Sequence, residues 1–189
     1  MIMLIRTLTV LVIIAASAQL AGCRRDEPRI APMTGPPVAG MIAAQRGAPM
    51  PRMPMMMATK TDEEWRQILT PEQYRVMRKW GAEPAFSSPL DKEKRDGFYV
   101  CAACAYPLFS SATKYESGTG WPSFFQAIDS TRVGTTPDDR DGMHRTEVHC
   151  AGCGAHLGHV FSDGPPPTGL RYCMNGVAMK FVAQEGSQS

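Results

Sequence analysis

Two Cys-x-x-Cys pairs, Cys101-Ala-Ala-Cys104 and Cys150-Ala-Gly-Cys153, constrain this chain more than any other feature. Each pair supplies two thiolates from one tight turn, and two such turns close a tetrahedral four-sulfur shell of the kind that holds zinc. The fold must therefore bring two distant segments to one point. Each first cysteine ends a run that predicts a strand, and Gly154, just after the second pair, can relieve backbone strain. Disulfides or a catalytic dithiol compete with this reading, because an exported chain permits disulfides and Cys-x-x-Cys is also an oxidoreductase pattern. The thioredoxin-like use of that pattern needs a βαβ setting, which is missing here. A shell of four thiolates has no open position, so the expected cofactor is one structural zinc ion.

The sequence around the pairs predicts a mainly β domain with a short N-terminal helical flank, over residues 61–184. Thr61-x-x-Glu64 reads as a capping box, with Trp65, Ile68 and Leu69 following on one helical face. Thr70, Pro71 and Gln73 start a second helix, on which Tyr74, Met77 and Trp80 share a face and which Gly81 can end. After Pro84 the texture changes to short β-rich runs between Gly, Pro and Asp clusters: Phe98–Val100, Thr146–His149, Val160–Phe161 and Arg171–Val182. Residues 185–189 are expected to form a tail.

The N-terminal third reads differently. Arg6 precedes an apolar run from Leu8 to Ala16, which is short for a membrane span and right for an export signal over 1–22. Its ending, Leu20-Ala21-Gly22-Cys23, resembles the lipobox of bacterial lipoproteins, which implies lipidation of Cys23 and a membrane as partner. The expected location is the bacterial cell envelope, with the domain on the extracytoplasmic side. Residues 23–60 are rich in Pro, Gly and Met and predict a disordered tether. Seven methionines fall in it: Met33, Met41, Met50, Met53, Met55, Met56 and Met57. A biased linker, soft-metal binding by thioethers and a sacrificial oxidisable pool all fit that composition. The formal net charge of +2 is uneven, with six Lys/Arg against two Asp/Glu over 24–60 and thirteen against sixteen over 61–189. A mildly acidic domain argues against nucleic acid as a partner, because such binding needs a basic patch.

Cys173 remains, in Arg171-Tyr-Cys-Met-Asn175. On a strand, Arg171, Cys173 and Asn175 share a face, and a nearby cation favours the reactive thiolate. A buried core cysteine is the ordinary alternative. His156-Leu-Gly-His159 precedes it; a regular strand puts such a pair on opposite faces, and Gly158 allows a bend that unites them. Either imidazole can donate a proton near neutral pH, and either can be a metal ligand or an ordinary hydrogen-bonded residue. In Ser117-Gly-Thr-Gly-Trp-Pro-Ser-Phe124, Trp121 and Phe124 suit either a cradle for a methyl group or core packing.

Gly-Thr-Gly-Trp121-Pro-Ser-Phe, Arg145-Thr-Glu-Val, Cys153-Gly-Ala-His156-Leu-Gly-His159-Val-Phe, Asp163-Gly-Pro and Gly169-Leu-Arg-Tyr-Cys173-Met-Asn175 together resemble the B-type methionine sulfoxide reductases. Leu69-Thr-Pro-Glu-Gln-Tyr and Tyr106-Pro-Leu-Phe109 fit the same resemblance, which spans about 61–182. It implies two antiparallel sheets, zinc on Cys101, Cys104, Cys150 and Cys153, and a Cys173 nucleophile that becomes a sulfenic acid. It also implies that Trp121, His156, His159, Arg171 and Asn175 shape the site for methionine-R-sulfoxide. Thr119 stands where many members have a resolving cysteine, so a thioredoxin-like protein or another thiol reductant is the expected partner. A lipid-anchored, zinc-ribbon-like module without catalysis is the competing class.

Overall fold

The computed structural model describes residues 60–184. The expected signal peptide, Cys23 and the Met-rich tether lie outside the described residues. Two helices open the domain, α1 (Asp62–Ile68) and α2 (Pro71–Lys79). Both begin with complete capping boxes: Thr61 with Glu64, and Thr70 with Gln73, each hydroxyl accepting from the backbone of its partner. Trp65, Leu69, Val76 and Met77 enter the core, whereas Ile68 departs from the expected buried face and is 51% exposed. Among the described residues no helix is long and apolar enough to cross a membrane.

Nine strands follow: β1 (Gly97–Cys101), β2 (Pro107–Ser110), β3 (Lys114–Tyr115), β4 (Ser123–Phe124), β5 (Val133–Asp138), β6 (Arg145–Cys150), β7 (His156–Phe161), β8 (Arg171–Met174) and β9 (Met179–Ala183). They form two antiparallel sheets, ordered β2-β1-β9 and β3-β4-β8-β7-β6-β5. The expected continuous run Arg171–Val182 is two strands in different sheets. They part at a 3-10 turn over Gly176–Ala178, where a Cβ on Gly176 would collide with the Ser88 hydroxyl.

Strand alternation divides the larger sheet into a core face and a polar face. Phe124, Tyr172, Met174, Val160 and Val148 are buried on the first, with Phe109 stacked on Phe124 at 4.4 Å. Phe124 is fully buried there, which favours core packing over the substrate cradle of the two uses its sequence context suits. Because Phe124 pairs with Tyr172 while Ser123 pairs with Cys173, the two neighbours in β4 face opposite ways.

Candidate active site

The polar face gathers side chains by register. Ser123 is opposite Cys173, Cys173 is opposite His159, and His159 is opposite Glu147. These four form one row across β4, β8, β7 and β6. Two residues along the strands lie Arg171 and Phe161, again opposite each other. His156 joins them through a bulge: the β6–β7 register slips between Val148 and His149, so His149 pairs with His156 and Leu157 is the surplus residue. The two imidazole rings are 5.3 Å apart, edge to face. Gly158 is required at this point, because a Cβ there would collide with the Cys173 carbonyl oxygen.

Each histidine rests on a buried carboxylate. His156 Nδ1 is 2.8 Å from Glu147 Oε1 and His159 Nε2 is 2.7 Å from Asp138 Oδ2. Those bonds fix ring orientation and oppose the effect of burial, which is the larger and holds both imidazoles below the ordinary histidine range. Asp138 also accepts from Arg145 at 2.9 Å. Its burial favours the neutral form, but the His159 bond and the neighbouring arginines outweigh that and bring its pKa to about 2. Glu147 accepts a second bond from the Trp80 indole at 2.8 Å, and the Arg140 guanidinium lies 4.3 Å over that indole.

Sequence reasoning placed Trp80 on the face of α2. It stands instead just beyond the helix in a left-handed conformation (φ 55°), half exposed, with Gly81 N donating to Arg75 O. No local sequence pattern points to Asp138 or Trp80 as part of the site, and Glu147 enters only within Arg145-Thr-Glu-Val. Their link to the histidines arises from strand register, which no local pattern carries.

The loop before β4 reaches Cys173 from the other side. Thr119 Oγ1 lies 3.8 Å from Cys173 Sγ. Ser117 Oγ is 2.8 Å from Thr119 Oγ1 and 2.7 Å from Ser123 Oγ, so one hydroxyl ties both to the loop. Gly118 and Gly120 take positive φ, and Gly120 lets the loop pass the Phe86 ring. The Trp121 indole donates to Glu83 O at 3.1 Å. Glu83 is buried; its N–H donates to Asn175 Oδ1, and its carboxylate accepts from Gly176 N and Val177 N. Asn175 follows the end of β8 and does not extend the Arg171–Cys173 face as expected. Its amide is buried and donates to Leu157 O at 3.1 Å, so it holds β7 and the Glu83 segment together.

Arg171 points toward Cys173 but is clamped by Asp163 through two bonds of 2.8 Å and lies 4.4 Å over Phe161. Burial pushes the Cys173 thiol up, and the Thr119 hydroxyl and Arg171 charge only oppose it. The Arg171 charge acts in the expected direction, toward the thiolate, but burial outweighs it and the sulfur keeps its proton near neutral pH. Alkylation of Cys173 in the free protein by iodoacetamide is therefore expected to show a midpoint above the ordinary thiol value of about 8.5. Arg171→Met should move it higher still, because the charge opposing burial is gone; an unchanged midpoint in that variant overturns this role for Arg171.

The four remaining described cysteines meet away from this row. Their sulfurs lie within 4.8 Å of one another, with Cys101–Cys153 at 3.7 Å and Cys104–Cys150 at 3.6 Å. Four sulfurs at ~2.3 Å from one zinc lie roughly 3.8 Å apart, so the cluster fits a single structural zinc ion. A disulfide, at about 2.05 Å, does not fit these separations. The two turns are alike: Ala105 N donates to Cys101 O and Gly154 N to Cys150 O, both at 2.8 Å, with Ala105 and Gly154 at positive φ. Cys101 ends β1 and Cys150 ends β6, so the ion joins the two sheets.

Residues 69–183 match the SelR domain model. The chain is 57% identical over 122 residues to the "Peptide methionine sulfoxide reductase MsrB" of Leptospira interrogans serogroup Icterohaemorrhagiae serovar Lai, covering 65% of this chain and 93% of the relative. The chain belongs to the B-type methionine sulfoxide reductase family. Other members of that name are 56% identical over 126 residues in Methanosarcina barkeri, covering 67% of this chain and 89% of the relative, and 53% identical over 133 residues in Pseudomonas putida (strain W619), covering 70% and 100%. Within this reductase fold, the Ser123–Cys173–His159–Glu147 row and the loop from Ser117 to Trp121 are the only place where the described residues set a half-buried thiol beside two carboxylate-bound imidazoles.

Proposed function

We propose that this chain reduces methionine-R-sulfoxide, free or in oxidised proteins, to methionine through a sulfenic acid on Cys173. The observation that carries the reading is the Ser123–Cys173–His159–Glu147 row in a chain of this family. Cys173 sulfur attacks the sulfoxide sulfur. Its proton passes by way of the neighbouring imidazole, His159 or His156, to the sulfoxide oxygen, making that oxygen a better leaving group. The attack forms a sulfur–sulfur bond; the hydroxyl then passes from the methionine sulfur to the Cys173 sulfur as that sulfur–oxygen bond and the sulfur–sulfur bond both break, so methionine departs and Cys173 is left as the sulfenic acid. Asp138 and Glu147 support the transient imidazolium, a cost that burial alone would make prohibitive. Trp121 offers an apolar wall for the substrate methyl, and Asn175 and Glu83 fix its position. Zinc supplies no chemistry here; it holds the scaffold. The zinc-ribbon-like binding module leaves this polar face without a purpose.

Cys101, Cys104, Cys150 and Cys153 belong to the zinc site, so two external thiols close the cycle by forming a disulfide and water. After one turnover without reductant, Cys173 is expected as a trappable sulfenic acid by mass spectrometry. Finding it in a disulfide with any zinc cysteine overturns the cycle. In Thr119→Cys the same experiment should instead yield a 119–173 disulfide. The present 3.8 Å separation needs to close by about 2 Å, between two glycines.

The lipobox-like Leu20-Ala21-Gly22-Cys23 supports, as part of this proposal, a lipid anchor at Cys23 and an extracytoplasmic domain in the bacterial cell envelope. Detergent phase partition is expected to move from membrane to soluble fraction in Cys23→Ala. Equal partition of both forms is incompatible with the anchor.

A further inference from the structure

Two side chains that no step of the reaction uses hold the carboxylates that hold the histidines. We propose that Trp80 and Arg140 are positioning residues of the reductase: closed over Glu147 and Asp138, they fix both carboxylates and, through them, the placement of His156 and His159 beside Cys173. The inference rests on the reductase reading above.

The indole N–H of Trp80 donates to Glu147 Oε1 at 2.8 Å, and His156 Nδ1 lies 2.8 Å from that same oxygen. Two partners on one oxygen set the plane of the carboxylate. With Nδ1 spent there, Nε2 is the His156 nitrogen left for the reaction. Arg140 closes the other side. Its guanidinium carbon stands 4.3 Å over the indole ring, and Nη2 is 3.9 Å from Glu147 Oε2. Its Nε is 3.6 Å from Asp138 Oδ1, which also accepts from the Arg140 backbone N–H at 3.1 Å. His159 takes the second oxygen of Asp138 at 2.7 Å. Arg140 therefore links the two carboxylates that the histidines use separately.

The backbone carries a cost here that ending a helix does not require. Trp80 adopts a left-handed φ of 55°, uncommon for a bulky side chain, although Gly81 beside it could take that conformation freely. Such outliers persist where the surrounding structure holds them, and they cluster at functional sites. Arg140 opens the 3-10 turn between β5 and β6, in which Asp141 and Gly142 also have positive φ. Both side chains are half exposed, while Glu147, Asp138 and His156 beneath them are buried. The pair adds little to the core and forms the outer layer of the site.

An imidazole that relays a proton needs a partner that does not turn away from it. A misplacement of about 1 Å costs on the order of 10²-fold in rate. The clamp also acts on charge. Burial is the main reason His156 resists a proton; Glu147 opposes that effect, and His159 and Arg140 add to it. The groups that face His156 are thus Glu147 from β6, His159 from its own strand and Arg140 from the turn. Those that face His159 are Asp138 from β5, Arg145 and Glu147 from β6, and His156.

Trp80→Phe removes the N–H and keeps a ring beneath Arg140; Arg140→Met removes the charge and keeps an apolar stem. The full zinc-bound chain is followed through a single turnover of methionine-R-sulfoxide, so that external thiols play no part. Each variant is expected to lower the saturated rate by on the order of tenfold, short of the roughly 10²–10⁴ that losing an acid–base group costs. Half-saturation should stay within about twofold, as for an interaction felt only in the transition state. The chain has four histidines, which NMR can follow singly. The His156 midpoint is expected to rise in both variants, because one loses a donor competing for its oxygen and the other a like charge. A lower melting temperature alone, with rate and midpoint unmoved, reveals a mere anchor and overturns the clamp. Weaker half-saturation at an unchanged rate places the pair in substrate binding and overturns it too. If Trp80→Phe fails to fold, Arg140→Met, on a surface turn, carries the same test. An unmutated chain that reduces no methionine sulfoxide overturns the reductase reading, whereas an active one matched by both variants overturns this proposal alone.

Discussion

Cys173→Ser is expected to lower sulfoxide reduction by on the order of 10³-fold or more while leaving zinc content and thermal unfolding nearly unchanged. The two effects separate because of where the residue sits. Cys173 faces the polar side of β8, opposite Ser123 and His159, while its neighbours Tyr172 and Met174 carry that strand's share of the core. A serine hydroxyl fits the same space and accepts the same Thr119 contact, so the change in stability should stay within about 1 kcal/mol. What disappears is the polarizable sulfur that attacks the sulfoxide, and no imidazole on this face replaces it. Turnover of each sulfoxide epimer, with zinc measured on the same samples, is the check. Substantial reduction of the R epimer by a folded serine variant would show that another group is the nucleophile.

Cys104→Ser should do the opposite damage. The domain is expected to lose its metal and its cooperative unfolding transition together, with inactivity as a consequence. A four-thiolate zinc site contributes roughly 10–16 kcal/mol of apparent binding in small domains, comparable to the whole stability of a domain, about 5–15 kcal/mol. Here the ion also joins β1 of one sheet to β6 of the other, so its loss frees the packing between them. Calorimetry and metal analysis of the variant decide the matter; a zinc-free protein with an unaltered melting temperature is the result that sinks it. Prolonged chelation of the unmutated chain should reproduce the variant's behaviour.

Much of this was legible in the sequence where the signal is local. Both capping boxes are satisfied by the residues that spell them, because a cap is a contact over three positions. The four cysteines converge because metal geometry admits few alternatives. What the sequence hid is what register decides. Asp138 and Glu147 reach the histidines from neighbouring strands, and nothing near either residue announces it. Phe124 went to the core because alternation in a two-residue strand turns on where Ser123 pairs. Trp80 was misread because Gly81 looked the better helix stop, yet the tryptophan itself adopts the left-handed turn and so frees its indole for Glu147. Arg171 acts on the thiol in the direction its place in the sequence suggests, but burial, which the sequence does not display, outweighs it.

The surplus residue in β7 has an evolutionary consequence. In most strands, losing one residue is a frame error that turns every later side chain to the wrong side. Here the frame is already shifted by one, and the two histidines are read correctly only because of it. Were the ladder regular with Leu157 kept, Leu157 would pair with His149 and His156 would turn to the core side while His159 stayed at the sulfur. Such a strand tolerates drift in residue identity far better than drift in residue number. The interval of three and the slipped ladder are a matched pair: changing either one alone turns an imidazole away from the sulfur.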